Sequence, residues 1–397
     1  MRKYDKTVPL RTVFRFSLKF LYERKSKMKI HEVSTGDKVY RYERSIVMFF
    51  DGKRKVLSTS VYHGGYHEDL TAVFNHDGKC GAGMACEMLA ETYEEHMKII
   101  AKRIGLDPET VSGMGTAADM ENVAIHSLSH EELTVTAIVT GGIEVNGGRV
   151  GDPATYYKPL EKPNRLGTIN IMLVLDSDMP PGTLARALVT CTEAKTAAIQ
   201  ELMAGSNYST GLATGSGTDQ TIVVANADSS LYLESAGKHS KMGELIGKVV
   251  MGAVKEALER QTGLNPKYQH DVLKRMKRFG VTSDLVWEMY CTLEKNPVIK
   301  PAFLERLDKV VKDSVMVTYL SLYIHLLDQL LWGLLTKEEI LPAANQLLRI
   351  LGESYQTEII EIEESSVECF SKGVVRVLAT LLQNCLHRRN EEGESEN

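Results

Sequence analysis

No Cys-x-x-Cys pair occurs among the six cysteines of this 397-residue chain, which are Cys80, Cys86, Cys191, Cys291, Cys369 and Cys385. That spacing excludes the usual zinc-ribbon and thioredoxin signals and is too sparse for a disulfide framework, so reduced thiols and a cytoplasmic setting are expected. A run of eighteen apolar residues is also missing, so no membrane span is expected. Positive charge is not in excess: 47 Lys and Arg face 52 Asp and Glu, a formal net charge of -5. This balance argues against bulk nucleic-acid binding, which needs a basic surface. There is no Gly-Lys-Ser/Thr phosphate loop, no strand-to-helix dinucleotide fingerprint and no Gly-x-Ser-x-Gly elbow. What is there is globular: 43% hydrophobic and 25% charged residues can bury a core and offset the entropy of ordering.

The length suggests two or three domains. Residues 1–29 carry ten Lys and Arg against Asp5 and Glu23, with Phe14, Phe16, Leu18, Phe20 and Leu21 among them. Lacking an apolar h-region, this is no signal peptide and reads as a basic N-terminal extension. Residues 30–262 read as a layered α/β (α+β) domain with a mixed β-sheet. The run 39–50 reads as one strand, Asp51-Gly52 as a hairpin turn, and 56–61 as the return strand. A helix is expected over 87–104, and strands over 123–125, 133–139, 167–175 and 220–226. A helix over 183–203 lies between the last two, which makes a crossover unit. Ser240 is placed to cap a helix whose wide apolar stripe includes Met242, Leu245, Val249 and Ala253. Gly263-Leu264-Asn265-Pro266 then ends the pattern. Residues 267–388 read as an all-helical region, with segments over 270–279, 283–293, 301–335, 337–351 and 366–386, and 389–397 as a disordered acidic tail. The amphipathic stripes of the helical region require packing against something: the candidate site of the core, a partner protein or a second copy in a homo-oligomer.

Several residues could carry chemistry. The segment Gly211-Leu212-Ala213-Thr214-Gly215-Ser216-Gly217-Thr218-Asp219 leads into a strand, and its small residues let a ligand approach backbone N–H groups. Asp219 at the strand start is placed to accept a proton or orient a group. Stepping Leu184, Leu188, Cys191 along the helix lands on Lys195, and a lysine on an apolar stripe needs a partner, a depressed pKa or a snorkelling position. Glu193 points elsewhere. Cys191 reads as inert core. His239 precedes a helix N-terminus, where a polar or anionic ligand could meet it. His63, His67 and Asp69 concentrate acid–base groups, but Gly64-Gly65 argues against the helix that would pair the histidines on a metal. His126 and His130, with Ser127 and Ser129, read as a surface turn.

The motifs occur in a telling order: 56–60 (VLSTS) and His63-Gly64-Gly65, Thr116-Ala117-Ala118, 139–143 (VTGGI), 151–154 (GDPA), 167–171 (GTINI), Thr192-Glu193-Ala194-Lys195, 213–219 (ATGSGTD) and Gly237-Lys238-His239-Ser240. This series, spread over residues 40 to 260, resembles the adenosylcobinamide amidohydrolase family of corrinoid salvage. Two departures stand out: His63-Gly64-Gly65 replaces an expected Asn-Gly-Gly, and Glu144-Val145-Asn146 replaces an Asn-Ala pair. The resemblance implies hydrolysis of the amide that joins aminopropanol to the corrin ring, giving adenosylcobyric acid and 1-amino-2-propanol. The corrinoid is then the substrate and no cofactor is implied, no metal ligands are assigned, and dependence on a metal is left open.

On this basis Asp219 or Glu193 is expected to act as general base, and Lys195 or His239 to stabilise the oxyanion or protonate the leaving amine. His63, Gly64, Gly65, Thr168, Asn170, Thr214, Gly215, Gly217 and Thr218 are the expected substrate-binding residues. The alternatives are a corrinoid-binding or delivery protein without catalysis, a self-processing enzyme using Thr168 as nucleophile, and a metal-dependent amidohydrolase using His63, His67 and Asp69.

Overall fold

The structure is a computed structural model that describes residues 27–79, 86, 88–154, 157 and 167–394, with side chains described as far as Asn384. In chain order the first elements are β1 (Met28–Glu32), β2 (Lys38–Tyr42), β3 (Ser45–Phe49), β4 (Arg54–Ser58), β5 (Gly65–His67), β6 (Ala72–Asp77), α1 (Tyr93–Arg103) and β7 (Val111–Thr116). Then come β8 (Ala124–His130), β9 (Leu133–Gly142), β10 (Gly147–Gly148), β11 (Thr168–Leu175), α2 (Pro181–Glu201), β12 (Gly215–Ser216), β13 (Gln220–Asn226) and α3 (Lys241–Thr262). The remainder is helical: α4 (Val272–Met276), α5 (Ser283–Leu293), α6 (Lys300–Val311), α7 (Ser314–Leu331), α8 (Lys337–Tyr355) and α9 (Val367–Glu394).

Two mixed sheets stack face to face. One has the order β1-β2-β3-β6-β7, the other β5-β4-β13-β11-β9-β8. Val39, Met48, Val73, Met172, Val174, Ile222 and Val224 fill the space between them. On the outer face of the second sheet, α2 and α3 bury Ile171, Leu173 and Val223 under Leu184, Ile199, Ile246 and Val250. On the outer face of the first, α1 covers Val47 and Phe74 with Met97 and Ile100. The core is therefore layered α–β–β–α, and alternate residues of each central strand face opposite layers because side chains in a strand alternate. The apolar runs of β11 and β13 follow from burial on both faces.

The expected crossover is present: β11 and β13 pair in parallel, Asn170 beside Gln220, with α2 between them in sequence. Ser240 caps α3 by accepting from the Gly243 N–H, and Gly263 ends it at φ 72°. The Asp51-Gly52 hairpin is a correction. The strand over 39–50 is broken at Glu43 and Arg44, whose φ values of 45° and 57° make the tight turn between β2 and β3. β4 pairs with β13 and β5 in the other sheet, so Asp51-Gly52 is a crossing between sheets. Arg54 explains it: buried at the start of β4, it holds the Asp37 carboxylate with Nε at 2.9 Å and Nη2 at 2.8 Å. Six strands, β1, β5, β6, β7 and the short β10 and β12, lie where none was expected, and α1 starts only at Tyr93, behind its cap Thr92. His126 and His130 sit on edge strand β8, not in a turn.

Beyond Pro266 the helices form their own core around Tyr290, Phe303, Leu320, Tyr323, Leu348, Phe370 and Leu378. The segment expected over 301–335 is two helices, because Asp313 caps a new start by accepting from the N–H groups of Val315 and Met316. α7 is long and apolar enough to span a bilayer by length and composition, yet Met316, Leu320, Ile324 and Leu327 are buried in this bundle. α9 runs to Glu394, into the stretch expected to be a disordered tail. Of the expected basic extension, residues 1–26 lie outside the described residues, and Met28 and Lys29 already belong to β1. Cys80 and residues 395–397 also lie outside them.

Candidate functional site

The N-terminal ends of β11 and β13 and the C-terminal ends of β4 and β9 meet at one edge of the second sheet. Asp219 stands there, one residue before β13. Its carboxylate forms an ion pair with Lys195 of α2, both side chains being nearly buried at 11% and 12% exposure. Asp219 also accepts from the Ile169 N–H at 2.8 Å, the Ser216 N–H at 3.0 Å and the Ser216 hydroxyl at 2.7 Å. Lys195 thus has its partner, as its place on an apolar stripe requires. A Cβ on Gly215 would lie 2.2 Å from Asp219 Oδ2 and 2.7 Å from Lys195 Nζ, so only glycine lets the two meet.

Above this pair lies an exposed lip formed by Gly217 and Thr218. The Thr218 hydroxyl donates to the Gly167 carbonyl at 2.9 Å, and Asn146 Nδ2 donates to the same carbonyl at 2.9 Å. Gly167 has φ 139°, outside the range of ordinary L-residues. Tyr208 donates to Asn146 Oδ1 at 2.9 Å and so fixes its orientation. Thr214 bridges outward, accepting at its hydroxyl from the Val150 N–H at 2.9 Å.

Below the lip, on the face toward the first sheet, runs a buried polar chain. Thr168 donates to the Thr218 carbonyl at 2.7 Å. Asn170 Nδ2 donates to Asn75 Oδ1 at 2.8 Å and to the Gly115 carbonyl at 3.0 Å. Asn75 Nδ2 continues to the Thr140 hydroxyl at 2.8 Å. These side chains are buried, and each hydrogen bond offsets the cost of taking polar atoms out of water. Tyr93, whose hydroxyl accepts from the Gly115 N–H at 2.8 Å, closes the chain, and burial raises its pKa.

The expected catalytic residues divide. Lys195 and Asp219 come together. Glu193 lies on an exposed face of α2, 3.2 Å from Lys238, and His239 is exposed before α3. Thr168, Asn170, Thr214, Gly215, Gly217 and Thr218 surround the Asp219 edge. His63, Gly64 and Gly65 lie at the end of β4, where His63 Nδ1 is 2.9 Å from the Val111 carbonyl and the His63 ring stacks on Tyr62. His67 is 3.6 Å from Asp69, but Nε2 meets the Gly64 carbonyl. Among the described residues no group of three or more His, Cys, Asp and Glu gathers in a position to hold a metal. Cys191 is fully buried, and burial pushes its thiol up to about 12, which keeps it protonated and inert. Ser216, Asn146, Tyr208, Asn75 and Tyr93 were not among the expected site residues. Ser216 was legible within the glycine-rich segment and Asn146 within the Glu144-Val145-Asn146 departure, whereas the others are joined to them only by the fold.

A family model described as adenosylcobinamide amidohydrolase matches residues 30–266. An uncharacterized protein of Methanocaldococcus jannaschii is 33% identical over 248 residues, which are 59% of this chain and 92% of the relative. A solved protein of Pyrococcus horikoshii aligns over 65% of this chain and 90% of its own at 11% identity, with a TM-score of 0.29, a likeness too distant to bear on fold or function. The match ends where α3 gives way to the helical unit.

Proposed function

The chain belongs to the adenosylcobinamide amidohydrolase family, and on that premise we propose that it cleaves the aminopropanol amide of adenosylcobinamide, giving adenosylcobyric acid and 1-amino-2-propanol in corrinoid salvage in the cytoplasm. The observation that carries this reading is the joined set Lys195, Asp219 and Ser216 under an exposed lip, because amide hydrolysis needs a proton acceptor and a proton donor at one carbon.

Water adds to the amide carbon, and its proton passes through the Ser216 hydroxyl to Asp219. The carbonyl oxygen gains the negative charge of the tetrahedral intermediate, and the ammonium of Lys195 supplies the positive charge that stabilises it. The C–N bond then breaks as the leaving amine takes a proton from Lys195. Asp219 returns its proton to Lys195 across their direct contact, which restores the starting state. Glu193 and His239 have no part in this scheme. The corrinoid is substrate, and the scheme draws on no cofactor.

The test is incubation of purified protein with adenosylcobinamide, with and without chelator, followed by mass analysis of the corrinoid. Adenosylcobyric acid in both arms supports the scheme. Loss of product with chelator overturns the metal-free route, and an unchanged but protein-bound corrinoid would mean a delivery protein. An Asp219→Asn protein with full turnover would remove Asp219 from the mechanism.

A further inference from the structure

The helical unit lies outside the family match, yet it is bolted to the site's glycine-rich loop. Arg278, 3% exposed, grips Asp328 of α7 with two hydrogen bonds of 2.6 Å and also donates to the Thr210 carbonyl. Gly205 in the same loop lies so near that a Cβ there would stand 3.0 Å from Arg278 Cβ. Asp328 is one turn before Trp332, whose N–H donates back to the Asp328 carbonyl at 2.9 Å. The bolt therefore fixes the end of α7 against the loop. Between them an open cleft of about 310 Å³ is lined by Arg149, Val150 and Ser209 on the loop side and Leu331 and Trp332 on the helix side.

Three features of this cleft point to a ligand. Trp332 is 47% exposed, Leu331 44% and Val150 82%, an unusual gathering of apolar surface beside a site. Polar groups edge it: burial raises the Asp152 carboxyl, but hydrogen bonds from Ser206, Ser209 and the Arg149 N–H outweigh this and hold it below its usual pKa, so it is charged. The cleft is also tied to the site's loop, since the Val150 N–H bonds Thr214, the neighbour of Gly215. Its size is at the low end for small-molecule sites, room for a nucleoside-sized group and not for a whole corrinoid.

We propose that this cleft is the subsite for the adenosyl group of the substrate, with the purine stacked on the Trp332 indole. This rests on the reading given under Proposed function and deepens it: the helical unit then supplies substrate preference to a core that supplies the chemistry. Stacking of a base on an aromatic side chain sets the scale of the effect.

The test compares wild type, Trp332→Ala and Trp332→Phe on two substrates, adenosylcobinamide and the same cobinamide carrying cyanide in place of the adenosyl group. Trp332→Ala should raise KM for the adenosyl form by about 5- to 150-fold, with kcat and the KM for the cyano form unchanged. Trp332→Phe, which keeps a ring, should recover most of the loss. Equal effects on both substrates, or none on either, would overturn the proposal. Equilibrium dialysis with labelled adenosine separates this from failure of the proposed reaction. Adenosine binding lost in Trp332→Ala supports the subsite even if wild type hydrolyses no corrinoid, and equal binding by both proteins sinks it.

Discussion

Lys195 and Asp219, 24 residues apart in the chain, meet as an ion pair beneath Gly215, and the absent side chain of that glycine is what allows it. The glycine is not in a left-handed conformation, so its requirement is one of space. Gly215→Ala should push the carboxylate or the ammonium aside. A displacement near 1 Å at reacting groups costs roughly a hundredfold in rate. Gly217→Ala is the control, since a Cβ there meets nothing closer than 3.9 Å. Turnover assays should show a loss of that order in the first, with the melting temperature of the second unchanged. A fully active Gly215→Ala would mean the pair is not part of the chemistry.

The crossover strands were legible because β11 and β13 are apolar on both faces, and the Ser240 cap because a hydroxyl precedes a long apolar stripe. β6 and β7 were not, since Asn75, His76, Asp77, Gly113 and Gly115 interrupt any apolar alternation. Those polar residues are buried all the same: Thr140 and Asn170 of the other sheet satisfy Asn75, Ser45 meets His76 and the Lys79 N–H meets Asp77, and no single segment carries that information. Likewise Lys195 announced that it needed a partner, but only the crossover places Asp219 opposite it. The Asp-Gly signal at 51–52 misled because a buried Arg54–Asp37 pair redirects the chain, a long-range constraint with no local mark.

Asn170 and Asn75 form the centre of the buried polar chain, and removing either takes one hydrogen-bond partner from the other. Asn170→Ala strips a donor from Asn75 Oδ1 and from the Gly115 carbonyl. A loss of about 2–4 kcal/mol in unfolding free energy is expected. The double variant with Asn75→Ala should cost clearly less than the sum, with a coupling of about 1 kcal/mol or more. Urea unfolding of the four proteins measures it, and strict additivity would show that the two amides do not act on each other.

His76 gives a pH signature. Burial, then the nearby Arg44, His96 and Arg103 charges, lower its pKa to about 3, and its Nδ1 is 2.8 Å from the Ser45 hydroxyl. The unfolded chain therefore binds a proton near pH 6.5 that the native state refuses. Stability is full above that pH and falls as pH drops toward about 3, by up to about 1.4 kcal/mol per unit. Between pH 6.5 and 5 the contribution is about 2 kcal/mol. Asp77, whose pKa burial raises, acts with the opposite sign and only toward the acid end. His76→Gln should flatten the urea-midpoint profile across this window, leaving a smaller slope from His96 and His31, also lowered by burial. An unchanged slope would exclude His76 as its source.

The Arg278–Asp328 pair separates holding the helical bundle together from holding the loop. Both groups are almost fully buried, so Arg278→Met leaves an unpaired carboxylate and Asp328→Leu an unpaired guanidinium. Each single change should destabilise by about 3–5 kcal/mol. Replacing both removes both charges, and most of that loss should return, because paired charges that are buried gain little over packed apolar groups. The Thr210 carbonyl, however, loses its donor in the double variant as well. Urea midpoints should therefore recover while turnover stays reduced, since the loop that leads to Thr214 and Ser216 is no longer held from the helical side. If turnover recovers together with stability, Arg278 is only a bundle contact. If the single variants unfold like wild type, the bolt contributes nothing to either.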